Sequence, residues 1–168
     1  MTGKTIARGF TLTALLAAAI GASAQAPTAV PFQTTAYTPH SKVYKVDSRD
    51  IVLAPGKGIE VKYHIQKGAT MVYSWKSTAV VIFEFHGEPD VLPANAPKGY
   101  YETHEKDDVG KDQSHGTFVS PSTGIHGWYW KNGTTKDVTI HLTTAGFYDA
   151  AKEFSSAGQK DLPVHDAK

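Results

Sequence analysis

Short runs in which apolar and polar residues alternate, with turn residues between them and no convincing amphipathic helix, predict an all-β chain. There are about eight such runs, which points to one antiparallel β-sandwich of jelly-roll or Greek-key type. The clearest case is residues 124–142, GIHGWYWKNGTTKDVTIHL. His126, Trp128 and Trp130 share one strand face, and Val138, Ile140 and Leu142 share a face of the next run. Asn132-Gly133 between them is the pair that a type I′ hairpin prefers. Two indoles on one face, Trp128 and Trp130, commit that face to the core.

The first 24 residues read as an export signal. Lys4 and Arg8 precede an apolar run over 10–20, and Ala22-Ser23-Ala24 is a small-x-small cleavage site. The run is too short for a permanent anchor, and no later stretch reaches the length of a membrane span. With no cysteine in the chain, neither a lipidated N-terminus nor a disulfide can form, so the fold has to rest on core burial. The expected location is the periplasm or the exterior. Without Lys4 and Arg8 the 17 basic residues fall to 15 against 16 acidic ones, a net charge near −1 that argues against nucleic acid as a partner.

The predicted organisation is a flexible leader over 25–41, a β-sandwich domain over 42–154 and a polar tail over 155–168. Within the domain, 43–46 reads as an edge strand, 51–53 as a short apolar run and 54–58 as a turn. Ile59, Val61, Tyr63 and Ile65 alternate cleanly, and Lys67-Gly68 turns the chain into an up-down pair with 69–76, where Met71, Tyr73 and Trp75 share a face. After another turn, Val81, Phe83 and Phe85 mark a central strand over 79–86. Residues 87–99, with Pro89, Pro93 and Pro97, read as a long functional loop. Residues 100–105 read as a return strand, 106–113 as a charged connection and 116–120 as a strand. The last strand, over 146–154, is expected to turn into a short helix.

Leu53-Ala54-Pro55-Gly56, Lys67-Gly68-Ala69-Thr70, Tyr73-Ser74-Trp75, His86-Gly87, Gly116-Thr117 and the run from Gly124 through Trp130 with Asn132 together resemble one family. It is the soluble domain of uncharacterised bacterial envelope proteins labelled transmembrane anchor proteins. The resemblance spans roughly 52–148, with H-G-W-aromatic-W-x-N its most specific element. Members of that group carry a membrane helix ahead of the domain, where this chain carries a cleavable signal. More distantly, 124–142 resembles the end of a GOLD-type β-sandwich, a fold used in protein recognition. Neither resemblance implies a catalytic apparatus.

The residues themselves offer three further readings. His86, His104, His115 and His126 fall at intervals of 18, 11 and 11, close to one strand plus its turn, so they could gather at one end of a sandwich. Imidazoles suit copper, zinc or nickel, and Glu88, Glu102, Glu105 or Asp90 could complete a shell. The competing reading makes His86 and His126, each followed by Gly, loop-supporting residues at chain bends. Pro93, Pro97, Tyr100 and Tyr101 are the expected contacts for a protein partner in the envelope. Ser114, His115, Ser120 and nearby aspartates are hydrolase residue types without an ordered motif. The sequence therefore favours a binding module without catalytic activity or cofactor, with a metal-binding or metal-delivery protein as the alternative.

Overall fold

The computed structural model describes residues 40–168, so the expected export signal and residues 25–39 of the leader lie outside the described residues. Nine strands follow: β1 (Lys45–Leu53), β2 (Gly58–Ile65), β3 (Thr70–Pro89), β4 (Glu102–Val119), β5 (Gly124–Lys131), β6 (Val138–Gly146), β7 (Tyr148–Ser155), β8 (Gly158–Leu162) and β9 (His165–Asp166). All belong to one sheet in the order β8-β7-β2-β5-β3-β6-β1-β9, with β4 paired to β3. The pairings are antiparallel, as predicted, and there is no helix among the described residues. The sheet is curled into a half-barrel.

The curl comes from β3. The two strands and intervening turn expected over 69–86 are one 20-residue strand that bends. Its register with β4 shifts between Lys76 and Val81, where Ser77 Oγ lies within hydrogen-bonding reach of Ala79 O (2.6 Å) and Asp112 O (3.2 Å). On one edge β3 carries β6 along its first half and β5 along its second. On the other edge it carries β4 along almost its whole length. Residues 106–113, expected as a connection, are therefore the middle of an 18-residue strand. Asp107 Oδ1 accepts from the N–H groups of Val109 (3.0 Å) and Gly110 (3.1 Å), which shapes β4 to the bend. Lys111 lies 5.1 Å from the centre of the Phe83 ring and pairs with Glu105. Charged side chains thus cover the rim of the core, which hides the alternation.

The expected hairpins are crossings instead. β2 pairs with β5 and β7, so it forms no up-down pair with β3. β5 and β6 are not neighbours either, and neither Asn132 nor Gly133 has a positive φ. A type I′ turn is absent because Asn132 is used differently. Fully buried, its Nδ2 donates to Leu53 O and Lys136 O (both 2.8 Å), and its Oδ1 accepts from Thr134 N (2.8 Å). Its backbone also exchanges hydrogen bonds with Gly56 and Lys57 in the β1–β2 turn. The C-terminal segment differs as well. No helix follows β7; β8 pairs back onto it and β9 pairs with the start of β1, so part of the expected polar tail extends the sheet.

The core lies on the inner face. Trp75, Trp128 and Trp130 are buried with Phe83, Phe85, Val61, Ile140 and Leu142. Trp130 stacks on Trp128 and meets Trp75 edge-on, both at 5.8 Å between ring centres. Tyr63 on β2 donates across this core to the buried Asp47 of β1 (2.6 Å), which Arg49 also holds. Asn132→Ala removes the side-chain partner of Leu53 O and of Thr134 N, while Lys136 O keeps Thr134 Oγ1 (2.9 Å), so we expect a loss of about 1–3 kcal/mol in denaturant unfolding. A Cβ at Gly133 meets nothing within 4 Å, so Gly133→Ala is expected to unfold like the parent.

Candidate metal centre

Two His-Gly dipeptides pair with each other across β3 and β5: His86 lies opposite Gly127, and Gly87 lies opposite His126. Antiparallel partners point to the same face, so the two imidazoles go to opposite faces of the sheet. His126 takes the inner face and His86 the outer one. Both lie within strands rather than at chain bends, although His126 does bond loop backbone, at Ser122 O, as the competing reading expected.

On the inner face, His126 reaches over β3 toward β4. A Cβ at Gly87 would lie 2.0 Å from His126 Nδ1, so the ring occupies space that only glycine leaves. On β4 the register slips between its pairs with Phe85 and His86, which makes His104 the extra residue of a β-bulge. Bulges of this kind re-aim a side chain. His104 Nε2 stands 3.1 Å from His126 Nδ1, and Glu102 offers a carboxylate oxygen within 4.8 Å of both.

The surroundings fix this group. His126 Nε2 lies 3.1 Å from Ser122 O and 2.9 Å from Ser120 Oγ, while Ser120 Oγ donates to Ser122 O (2.6 Å). A carbonyl can only accept, so the proton sits on His126 Nε2 and leaves Nδ1 as a lone pair facing His104. Ser122 Oγ donates to Glu102 (2.9 Å). One residue therefore orients both His126 and Glu102. Burial, with added repulsion from His126, pulls His104 down to about 4. Burial also holds His126 below its ordinary value, against the Ser122 carbonyl. Both rings are neutral at pH 7, the form that binds metals. Ser120 is buried, and its hydroxyl donates to the Ser122 carbonyl beside His126.

The outer face carries a different group. Lys62 is fully buried and pairs with Glu88 and with Glu60 (3.0 Å). His86 Nε2 lies 3.9 Å from Glu60, and Tyr101 meets the His86 ring edge-on at 5.3 Å. Burial and the Lys62 cation lower His86 from its ordinary value. Glu84 accepts from Thr103 Oγ1 (3.2 Å).

Of the four histidines expected to gather, only His104 and His126 come together. His86 is behind them, and His115 is exposed at the far end of β4 opposite Ser74. The interval of eleven does not measure a strand and its turn, because His104 and His115 share one long strand. Pro93, Pro97 and Tyr101 are exposed and Tyr100 is half-buried. Their loop is folded by Ala96 N donating to Pro93 O (3.0 Å) and Tyr100 N to Pro97 O (3.1 Å). At its root, His64 bridges Asp149 (2.6 Å) and Asp90 (2.9 Å). The sequence reading missed Ser120, Ser122, Glu60 and Lys62 as part of these groups. Only a polar residue at a strand position between buried neighbours marks Lys62. Searches of protein-family models and of curated proteins find no match to this chain. No helix among the described residues is long and apolar enough to cross a membrane.

Gly87→Ala should expel the His126 ring, with a loss of about 1–3 kcal/mol and altered His104 and His126 ring signals in nitrogen NMR. The His64 bridge gives a separate pH signal. Burial would lower His64, but its bonds to Asp90 and Asp149 outweigh that and raise it. For Asp149, burial acts upward and is outweighed by the same bridge, which lowers it. The bridge therefore stabilises fully below His64's unfolded value of 6.5 and is lost as pH rises through the higher folded value. It is also lost as pH falls through the depressed value of Asp149. The stability gap between the parent and His64→Gln should peak near pH 5–6 and narrow in alkali, as urea unfolding across pH would show.

Proposed function

We propose that this is an exported cell-envelope protein that binds a divalent transition ion, Cu(II), Zn(II) or Ni(II), through Glu102, His104 and His126. The observation that carries the reading is the approach of His104 Nε2 to His126 Nδ1 at 3.1 Å beside the Glu102 carboxylate. Two neutral imidazoles and one carboxylate suit these ions, and Ser122 supports both His126 and Glu102 from behind. An ion would replace the single hydrogen bond between the rings with a bond to each, the His104 proton moving from Nε2 to Nδ1.

A second reading is an interaction module without catalytic activity whose partner is another envelope protein. What favours it is the 90–101 loop, where Val91 is 84% exposed, Leu92 55% and Tyr101 46%. Under this reading the curled sheet is a jelly-roll-type sandwich, with the β1–β6 limb and the β2–β5–β7 limb as its layers. The resemblance to transmembrane anchor proteins and to GOLD domains implies the same class of fold.

The test is calorimetric titration of the purified, chelator-stripped protein with each ion. We expect a first equivalent that binds below about 1 μM and raises the melting temperature, as a ligand of the folded state must. His104→Ala and Glu102→Gln should weaken that equivalent by at least about tenfold, and His115→Ala should leave it unchanged. A flat titration removes the metal reading and leaves the loop as the functional surface.

A further inference from the structure

We infer that Glu60, His86 and Glu88 form a second divalent-cation site on the outer face of the sheet, with the Lys62 ammonium standing in the ion's place. Three observations carry this. The three residues each offer a ligand atom, all within 4.8 Å of one another. His86 is only 8% exposed, yet neither ring nitrogen makes a hydrogen bond, and Nδ1 is buried without a partner. Lys62 is fully buried while its Nζ bridges Glu88 and Glu60. A polar ring that is buried and unbonded is rare, and an ion bonded to Nε2, the nitrogen that faces Glu60, would give this ring a partner.

The strand register shows how the residues meet. Lys62 faces Gly127, which faces His86, in one row across β2, β5 and β3. With no side chain at Gly127, Lys62 can cross β5 and reach Glu88 on β3. A Cβ at Gly127 would lie 2.0 Å from Val61 O and 2.7 Å from Lys62 Cα. The position must remain glycine for β2 to pack there.

The spacing suits a small ion. Glu60 Oε2 is 3.9 Å from His86 Nε2, where ligands of a tetrahedral ion stand about 3.4 Å apart. Two carboxylates share one ammonium, so the group keeps a net negative charge that favours a second cation. The Lys62 Nζ also lies 5.8 Å from the centre of the Phe154 ring, a distance at which an aromatic face attracts an ammonium. Glu88 is half-exposed and gives access from solvent.

The site is independent of the Glu102, His104 and His126 group and is tested with that group disabled. Zn(II) is titrated into the Glu102→Gln/His104→Ala protein by calorimetry, with ion count by native mass spectrometry. We expect one bound ion, lost on adding His86→Ala or the more exposed Glu88→Gln. Lys62→Met, which removes the resident cation while both carboxylates still reach water, is expected to tighten binding by about tenfold or more. Absence of bound ion both in the double variant and after Lys62→Met overturns the second site and leaves the inner one standing. An ion that stays when Glu88 and His86 are changed also overturns it. Unchanged affinity in Lys62→Met overturns the placeholder role of the ammonium. Full binding in the double variant, lost only with His86→Ala, upholds this site and removes the inner one.

Discussion

The bend in β3 is the constraint from which the rest of the fold follows. One strand has to serve two limbs, so along one edge it changes partner from β6 to β5 while β4 stays with it on the other. Ser77 makes this possible by offering its hydroxyl to carbonyls at the corner, where the ladder is interrupted. Because β3 and β4 bend together, both ends of β4 come round to the same end of the core. Phe118, near one end, lies 4.8 Å from His104, near the other, between ring centres. The bend packs Phe118 against the inner histidine group, while His126 and His104 themselves meet across β3 through the space at Gly87.

What the sequence shows well is which face of each strand is buried. Trp75, Trp128, Trp130, Val61, Tyr63 and Ile140 are core residues as their alternation implies, because a period of two is a local property. What it shows poorly is which strands are neighbours. Asn132-Gly133 has the composition of a hairpin turn, and the preference is real, but it is weak beside the buried hydrogen bond that the Asn132 amide makes to the distant Leu53 carbonyl and the two local ones to Lys136 O and Thr134 N. The 106–113 stretch reads as a connection because its strand lies at the rim, where charged side chains are well solvated on both faces. In each case a tertiary contact decides, and no local pattern encodes it.

The histidines divide along the same line. That His86 and His126 were worth attention is visible in the sequence, since both follow an apolar residue and precede glycine. That they oppose each other and point apart depends on the β3–β5 register, which only the fold supplies. Ser122 is harder still to foresee. It lies in the Pro121-to-Thr123 turn with nothing in its neighbourhood to mark it, and its importance comes from holding Glu102 with its hydroxyl and His126 with its carbonyl.

The paired His-Gly dipeptides give a reason for the arrangement as a whole. A sheet interior normally fills both faces with side chains, and a long polar residue there can reach only its immediate neighbours. Removing one side chain from each of two adjacent strands opens a passage on each face. On the inner side the passage at Gly87 lets His126 cross β3 and meet the bulged His104. On the outer side the passage at Gly127 lets Lys62 cross β5 and meet Glu88. Each glycine weakens its strand, since it adds chain entropy to the unfolded state and buries no apolar surface. The aromatic layer of Trp75, Trp128 and Trp130 lies immediately beyond and offsets that loss by burying some of the largest side chains in the protein. The rigid core and the two polar crossings are therefore parts of one design, in which the tryptophans stabilise the strands enough for glycine to be kept where the polar groups must pass.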